Sequence, residues 1–337
     1  MAKRDLAAAA ALEPRHVEQV PLDLLIWQQN SRPGAGCGPL PGMNSQSALL
    51  PASLVTTGWL AQHLGEPDLL VLDASVQMVP TPPHRVPMRE AYREAHLPGA
   101  VFADLVNDLS DPDSPLAITR PSAHRATTVF GQLGIGPRTR VVAYDCEFGQ
   151  YAARLWWLLK SAGHDAVAVL DGGLRKWTGE GRAVESGEVE PVPAAFAASP
   201  RPGMWADKQQ VMAVVRDGVQ ATLVNAVPEL PADTSLLPEE AVRVMSTTIP
   251  GSVNVPYPSL AQPGTSMLRA SEDRAQFLAS VTRGRPAIVY CNSGLNAPLV
   301  GFSLLAAGHD EVMVYDGSLE EWLGDPHAPV ERRTIPG

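Results

Sequence analysis

The sequence is poor in cysteine, in basic residues and in long apolar runs, and each shortage removes a class of protein. Three cysteines in 337 residues, at positions 37, 146 and 291, make neither a disulfide framework nor a zinc-ligand pattern. Sparse thiols suit a reducing compartment, so the chain is expected to be cytoplasmic. Lys and Arg total 26 against 36 Asp and Glu, a net charge of −10, which leaves no basic stripe and predicts no nucleic-acid partner. No apolar stretch approaches the length of a membrane span, so no membrane partner is expected. The short apolar run after Lys3-Arg4 is cut off by Glu13-Pro14-Arg15, which disfavours a secretory signal. What is present is a hydrophobic fraction of 45%, enough for sizeable cores, with 32 prolines and 28 glycines assigned to loops and linkers.

The chain contains itself twice. Leu69-Leu70-Val71-Leu72-Asp73-Ala74 recurs as Thr222-Leu223-Val224-Asn225-Ala226, and His96-Leu97-Pro98-Gly99-Ala100-Val101-Phe102 as Thr248-Ile249-Pro250-Gly251-Ser252-Val253-Asn254. Further on, Arg140 to Asp145 matches Pro286 to Cys291, and the stretch from Leu158 through Asp171-Gly172 to Trp177 matches that from Leu304 through Asp316-Gly317 to Trp322. Two tandem copies of one domain follow, each of ordinary size. Short β-branched runs alternate with helical patterns in both, which predicts an α/β fold with a mainly parallel sheet flanked by helices. The expected division is an N-terminal extension over 1–50, a first domain over 51–190, a linker over 191–204 and a second domain over 205–337. The extension fits neither copy; its Pro/Gly stretch Ser31 to Gly42 predicts flexibility, with Leu24 to Trp27 as an anchoring segment.

Cys291 stands out. It follows the apolar run Ala287-Ile288-Val289-Tyr290 and opens the loop Cys291-Asn292-Ser293-Gly294-Leu295-Asn296-Ala297, ahead of a helical pattern with Pro298 in the first turn. In open parallel sheets ligands sit at the carboxyl ends of strands, where this thiol stands. Unpaired N–H donors and the positive end of a helix dipole stabilise an anion, which predicts a thiolate nucleophile. A lone cysteine after a strand is also compatible with a buried structural thiol.

These residues resemble the tandem-domain rhodanese family of sulfurtransferases, above all its 3-mercaptopyruvate branch, from about Pro51 to Ala328. The resemblance implies two rhodanese-like domains, a silent first one with Asp145 at the place of the cysteine and an active second one. It also implies a persulfide on Cys291, formed from a small sulfur donor and discharged to a thiol, cyanide or a sulfur-carrier protein, with no cofactor and no metal. The six residues from Cys291 to Asn296 match the sulfur-transferring members; related phosphatases carry one residue more and a terminal arginine. Ser293 takes the position of a loop hydroxyl that assists proton delivery to the departing enolate. Asn292 and Ser293 bring no charge, unlike the Arg and Lys of the thiosulfate-preferring branch.

The departures are as informative. Val227-Pro228-Glu229-Leu230-Pro231 stands where the 3-mercaptopyruvate branch has its carboxylate-binding arginines, Pro87-Met88-Arg89 replaces an acidic partner, and Thr247-Thr248 replaces Gly-His. Arg243 is the expected substitute cation and His96 a candidate lining residue, each with a structural alternative. Cys146 sits beside Asp145 and Glu147, which oppose its ionisation. Three functional readings therefore stand: a sulfurtransferase, a pathway-specific sulfur-delivery enzyme with an unusual donor or partner, and a non-catalytic binding module.

Overall fold

A computed structural model describes residues 50–79, 84–231, 233–235 and 237–333. The extension up to residue 49, with Cys37, and the Pro80–Pro83 loop lie outside the described residues. The first repeat runs β1 Leu54–Val55, α1 Thr57–His63, β2 Leu69–Asp73, the hairpin strands β3 Val76–Met78 and β4 Arg85–Pro87, α2 Arg89–Glu94, β5 Val101–Phe102, α3 Ala123–Gln132, β6 Arg140–Tyr144, α4 Gln150–Ser161, β7 Val167–Leu170 and α5 Gly173–Gly179. The second runs β8 Trp205–Ala206, α6 Lys208–Asp217, β9 Thr222–Asn225, α7 Glu239–Met245, β10 Thr247–Thr248, β11 Val253–Asn254, α8 Ser271–Thr282, β12 Ala287–Tyr290, α9 Ala297–Ala306, β13 Val312–Tyr315, α10 Ser318–Leu323 and β14 Glu331–Arg332.

Each repeat builds one five-stranded sheet, in the orders β1-β7-β6-β2-β5 and β8-β13-β12-β9-β11. Every pairing within these two sheets is parallel, as the alternation of strand and helix predicts. The matched runs take matched places: Asp73 pairs with Tyr144 at the ends of β2 and β6, and Asn225 with Tyr290 at the ends of β9 and β12. All residues of β6 and β12 are buried, without alternation, because helices cover both faces. A loop leaving either central strand is therefore held by packed structure on both sides. Among the described residues no helix is long and apolar enough to cross a membrane.

The two repeats meet helix to helix. Eleven of the twelve residues of α4 are buried, far more than one apolar stripe requires, because α4 packs both on its own sheet and on α9. Trp156 meets Phe302 edge to face at 5.1 Å. Trp157 is wholly buried and its indole N–H donates to the Met204 carbonyl at 3.1 Å, which fixes the ring against Gly301. Each repeat also lends an arm to the other. The Arg120 N–H donates to Asp316 Oδ2 at 2.6 Å, and the Leu268 N–H to Asp171 Oδ1 at 2.9 Å. The repeated Asp-Gly motif is thus the clasp between the halves, and Asp316 carries it to the edge of the Cys291 loop.

A Cβ on Gly301 would lie 2.8 Å from the Trp157 ring, closer than any real contact. Gly301→Ala is expected to destabilise the protein by about 1–3 kcal/mol, read as a lower midpoint in denaturant unfolding. An unchanged midpoint would show that the helix pair is not tightly packed.

Candidate functional site

The loop between β12 and α9 comprises Cys291 to Asn296. Its shape follows from glycine and from its neighbours. Gly294 has a φ of +74°, and a Cβ there would lie 2.4 Å from the Asp316 carbonyl, so this turn accepts only glycine. Asn296 stands at the N-cap of α9, yet its backbone is helical and its side chain caps nothing. Pro298 in the first turn has no N–H to satisfy. Among the described residues, none of the N–H groups of residues 292–297 donates to a protein acceptor. Cys291 itself is 2% exposed and Ser293 is 5% exposed, so the loop lies against packed structure. A cradle of this kind takes an anion.

The first repeat shows the same cradle filled. Its loop is one residue shorter, Asp145 to Gly149, and the Asp145 carboxylate accepts four main-chain N–H groups: Glu147 (2.9 Å) and Gly149 (3.0 Å) on one oxygen, Tyr151 (2.9 Å) and Ala152 (3.0 Å) on the other. The chain's own anion occupies the place to which the second repeat brings a thiol. Burial outweighs the four donors and lifts the Asp145 carboxyl to about 6.

Ser318 supports Cys291 from below. Its hydroxyl accepts the Cys291 N–H at 3.1 Å, donates to the Tyr315 carbonyl at 2.9 Å and lies 4.0 Å from Sγ. Ser318 holds a φ of +50°, left-handed and unusual for a residue with a side chain, where the first repeat has Gly173 at +52°. Arg154, on α4 of the first repeat and 1% exposed, reaches across to donate to Asp316 Oδ1 at 2.6 Å and to the Gly294 carbonyl at 3.2 Å. Its charge is paired with Asp316, while its Nη2 is buried without a hydrogen-bond partner. Tyr257 stacks on Phe148 of the first repeat at 5.8 Å. Burial, with the neighbouring Cys291 and Glu147 charges, pushes its phenol up to about 12. Both loops therefore border one junction.

Three residues considered from the sequence lie elsewhere or in another state. Arg243 is more than half exposed on α7 and places both arms of its guanidinium on Glu240, one turn away, so the structure does not bring it to the loop. His96 is wholly buried in the first repeat, its Nδ1 donating to the Tyr92 carbonyl at 2.8 Å and its ring stacked on Tyr92 at 4.3 Å, contacts that tie it to its own repeat. Cys146 does border the junction, but burial and the Asp145 charge push its thiol up to about 11. Sequence reasoning missed Ser318, Arg154 and Tyr257. Two signals were there: the serine inside the repeated Asp-Gly motif, and an arginine in the midst of the apolar run of α4.

The folded-state carboxyl of Asp145 lies above its unfolded value of about 3.9, so the folded chain holds this proton more tightly. Its contribution to stability is present below about pH 4 and is lost as pH rises through about 6. Asp145→Asn is expected to flatten that part of the stability profile. Asp145→Ala leaves the donors unpaired and should cost on the order of 3 kcal/mol. Denaturant midpoints at pH 4.5 and 7 check both, and a wild-type slope retained in the asparagine variant would contradict the assignment.

Comparison with known proteins places this geometry. The model of the rhodanese-like domain matches residues 56–180 and 239–325, one segment in each repeat. The thiosulfate sulfurtransferase of Rattus norvegicus is 34% identical over 300 residues, covering 85% of this chain and 96% of that protein. The 3-mercaptopyruvate sulfurtransferase of Homo sapiens is 32% identical over 282 residues, covering 80% and 91%. The crystal structure of the 3-mercaptopyruvate sulfotransferase SseA from Escherichia coli superposes with a TM-score of 0.67 at 27% identity, over 79% of this chain and 98% of that one. Two parallel sheets in tandem, two equivalent strand-end loops and likeness to these proteins over most of the chain together show that it belongs to the rhodanese family.

Proposed function

We propose that this protein is a sulfurtransferase that carries a sulfane sulfur on Cys291, in the second repeat, while the first repeat is catalytically silent. The observation that carries this reading is the pair of loops: four N–H groups closed on the Asp145 carboxylate in one repeat, and, among the described residues, a run of N–H groups without a protein acceptor following Cys291 in the other. A silent half that fills its own cradle needs no ligand; the half that leaves it open receives one.

The chemistry follows from the groups present. The Cys291 thiolate attacks the outer sulfur of a small donor, an S–S bond forms, and the bond from that sulfur to the rest of the donor breaks with its electron pair. The loop amides hold the resulting persulfide anion until a second nucleophile takes the terminal sulfur. Relatives named thiosulfate sulfurtransferase and 3-mercaptopyruvate sulfurtransferase support both donor types as candidates. The uncharged Asn292 and Ser293 favour an organic donor over the thiosulfate dianion. With such a donor the departing electron pair resides on carbon as an enolate, and in this reading the Ser293 hydroxyl, which has no protein partner among the described residues, delivers a proton to it. A thiol, cyanide or a sulfur-carrier protein completes the cycle. A free thiol of this kind suits the reducing cytoplasm, and no cofactor enters the scheme.

Incubation with 3-mercaptopyruvate is expected to add one sulfur, about 32 Da, to the intact protein. Cys291→Ser should abolish the gain, and loading that survives this variant would refute the assignment. Ser293→Ala should slow loading from 3-mercaptopyruvate by about 10–100-fold, while loading from inorganic polysulfide, whose leaving group needs no proton on carbon, stays within a factor of two. Equal slowing with both donors would show that Ser293 only shapes the loop.

A further inference from the structure

Arg85 is a buried cation without a hydrogen bond. It lies on β4, in the hairpin β3–β4 of the first repeat, and its side chain is 7% exposed. Among the described residues its guanidinium donates no hydrogen bond, and its Nε is completely buried without a partner. The nearest opposite charge is Glu320 Oε2, 3.6 Å from Nη2, which is ion-pair distance but too long for a hydrogen bond. That carboxylate oxygen is itself buried without a hydrogen-bond partner. A guanidinium presents five donors in a rigid fork, and leaving its Nε–H buried and unpaired costs free energy that a bound acceptor restores.

The place is the edge of the Cys291 loop. Glu320 donates its main-chain N–H to the Asn292 carbonyl at 2.8 Å, so Arg85 stands one side chain away from the residue next to Cys291. The hairpin is fastened to the loop of the first repeat, since Met88 N–H donates to the Ser75 carbonyl at 3.1 Å and Cys146 N–H to the Ser75 hydroxyl at 3.0 Å. Other arginines around the second repeat donate at least one hydrogen bond: Arg154 to Asp316 and Gly294, with its Nη2 buried and unpartnered, Arg243 to Glu240, and Arg333 to the carbonyls of Val227, Pro228 and Met245.

We propose that Arg85 determines donor specificity by receiving the carboxylate of an organic thiol donor in a two-pronged ion pair, with Glu320 holding the guanidinium in place when no donor is bound. The proposal deepens the sulfurtransferase reading and rests on it. The donor class is a thiol whose sulfur-bearing carbon lies next to a ketone and whose other end is a carboxylate. In the transfer step the Cys291 thiolate takes the donor sulfur, its S–C bond breaks, the electron pair goes to carbon as the enolate, and that carbon gains a proton to give the 2-oxo acid. No electron is gained or lost from outside.

The test compares 3-mercaptopyruvate with mercaptoacetone, the same α-mercapto ketone without the carboxylate, by the concentration dependence of Cys291 persulfide formation in intact mass spectra. Arg85→Met is expected to raise the half-saturating concentration of 3-mercaptopyruvate about tenfold or more and to leave that of mercaptoacetone unchanged. Glu320→Gln, which keeps an acceptor for the Ala117 N–H that Glu320 Oε1 now receives at 3.1 Å, is expected to lower the value for 3-mercaptopyruvate alone. The glutamine variant decides the matter should Arg85→Met fail to fold. An unchanged response to 3-mercaptopyruvate, or equal changes with both donors, would overturn the role of Arg85 and leave the sulfurtransferase reading intact. Failure of the wild type to load from any donor would instead overturn that reading, and the proposal with it.

Discussion

An unpaired main-chain N–H in a closed space must find an acceptor, and this requirement organises the whole molecule. Each parallel sheet ends its central strand in a short loop with main-chain amides to satisfy. One repeat meets the demand with a carboxylate from its own chain. The other brings a sulfur atom to the same place and leaves the amides open. The two halves differ in which residue follows the strand, Asp145 or Cys291, and in one added loop residue.

The silent repeat still acts on the site. Arg154 reaches from α4 to the Gly294 carbonyl and pairs with Asp316, whose main chain sits against Gly294. Asp316 in turn receives the Arg120 N–H from the first repeat. The loop is thus gripped by its own repeat through Ser318 and by its partner repeat through an arginine buried in an apolar helix. The first repeat thus holds the Cys291 loop mechanically, through Arg154 directly and through Arg120 by way of Asp316.

Much of this was legible in the sequence for physical reasons. β-branched runs at matched spacing gave the two parallel sheets, because strands covered on both faces must be apolar throughout, as in Val141-Val142-Ala143-Tyr144 and Ala287-Ile288-Val289-Tyr290. Cys291 was singled out because the repeated sequence sets it at the end of a central strand, ahead of a helix start, where the other copy has Asp145. What spacing could not reveal were contacts across the repeats. Arg154 and Gly294 are 140 residues apart, and Arg85 meets Glu320 only when the halves are packed. Arg243 was singled out because it is near in sequence to the missing arginines, yet a glutamate one turn before it on the same helix captures its charge. His96 turns its polar edge to its own helix carbonyl, a preference that local pattern alone does not disclose.

The central claim is that the loop amides hold the charge of the transferred sulfur. The most direct measurement is a crystal structure of the protein after loading with 3-mercaptopyruvate. The account predicts a second sulfur on Cys291 Sγ within hydrogen-bonding reach of main-chain N–H groups among residues 292–297, with Asp145 unchanged in its own cradle. A second sulfur directed away from these amides, or carried on Cys146, would contradict it.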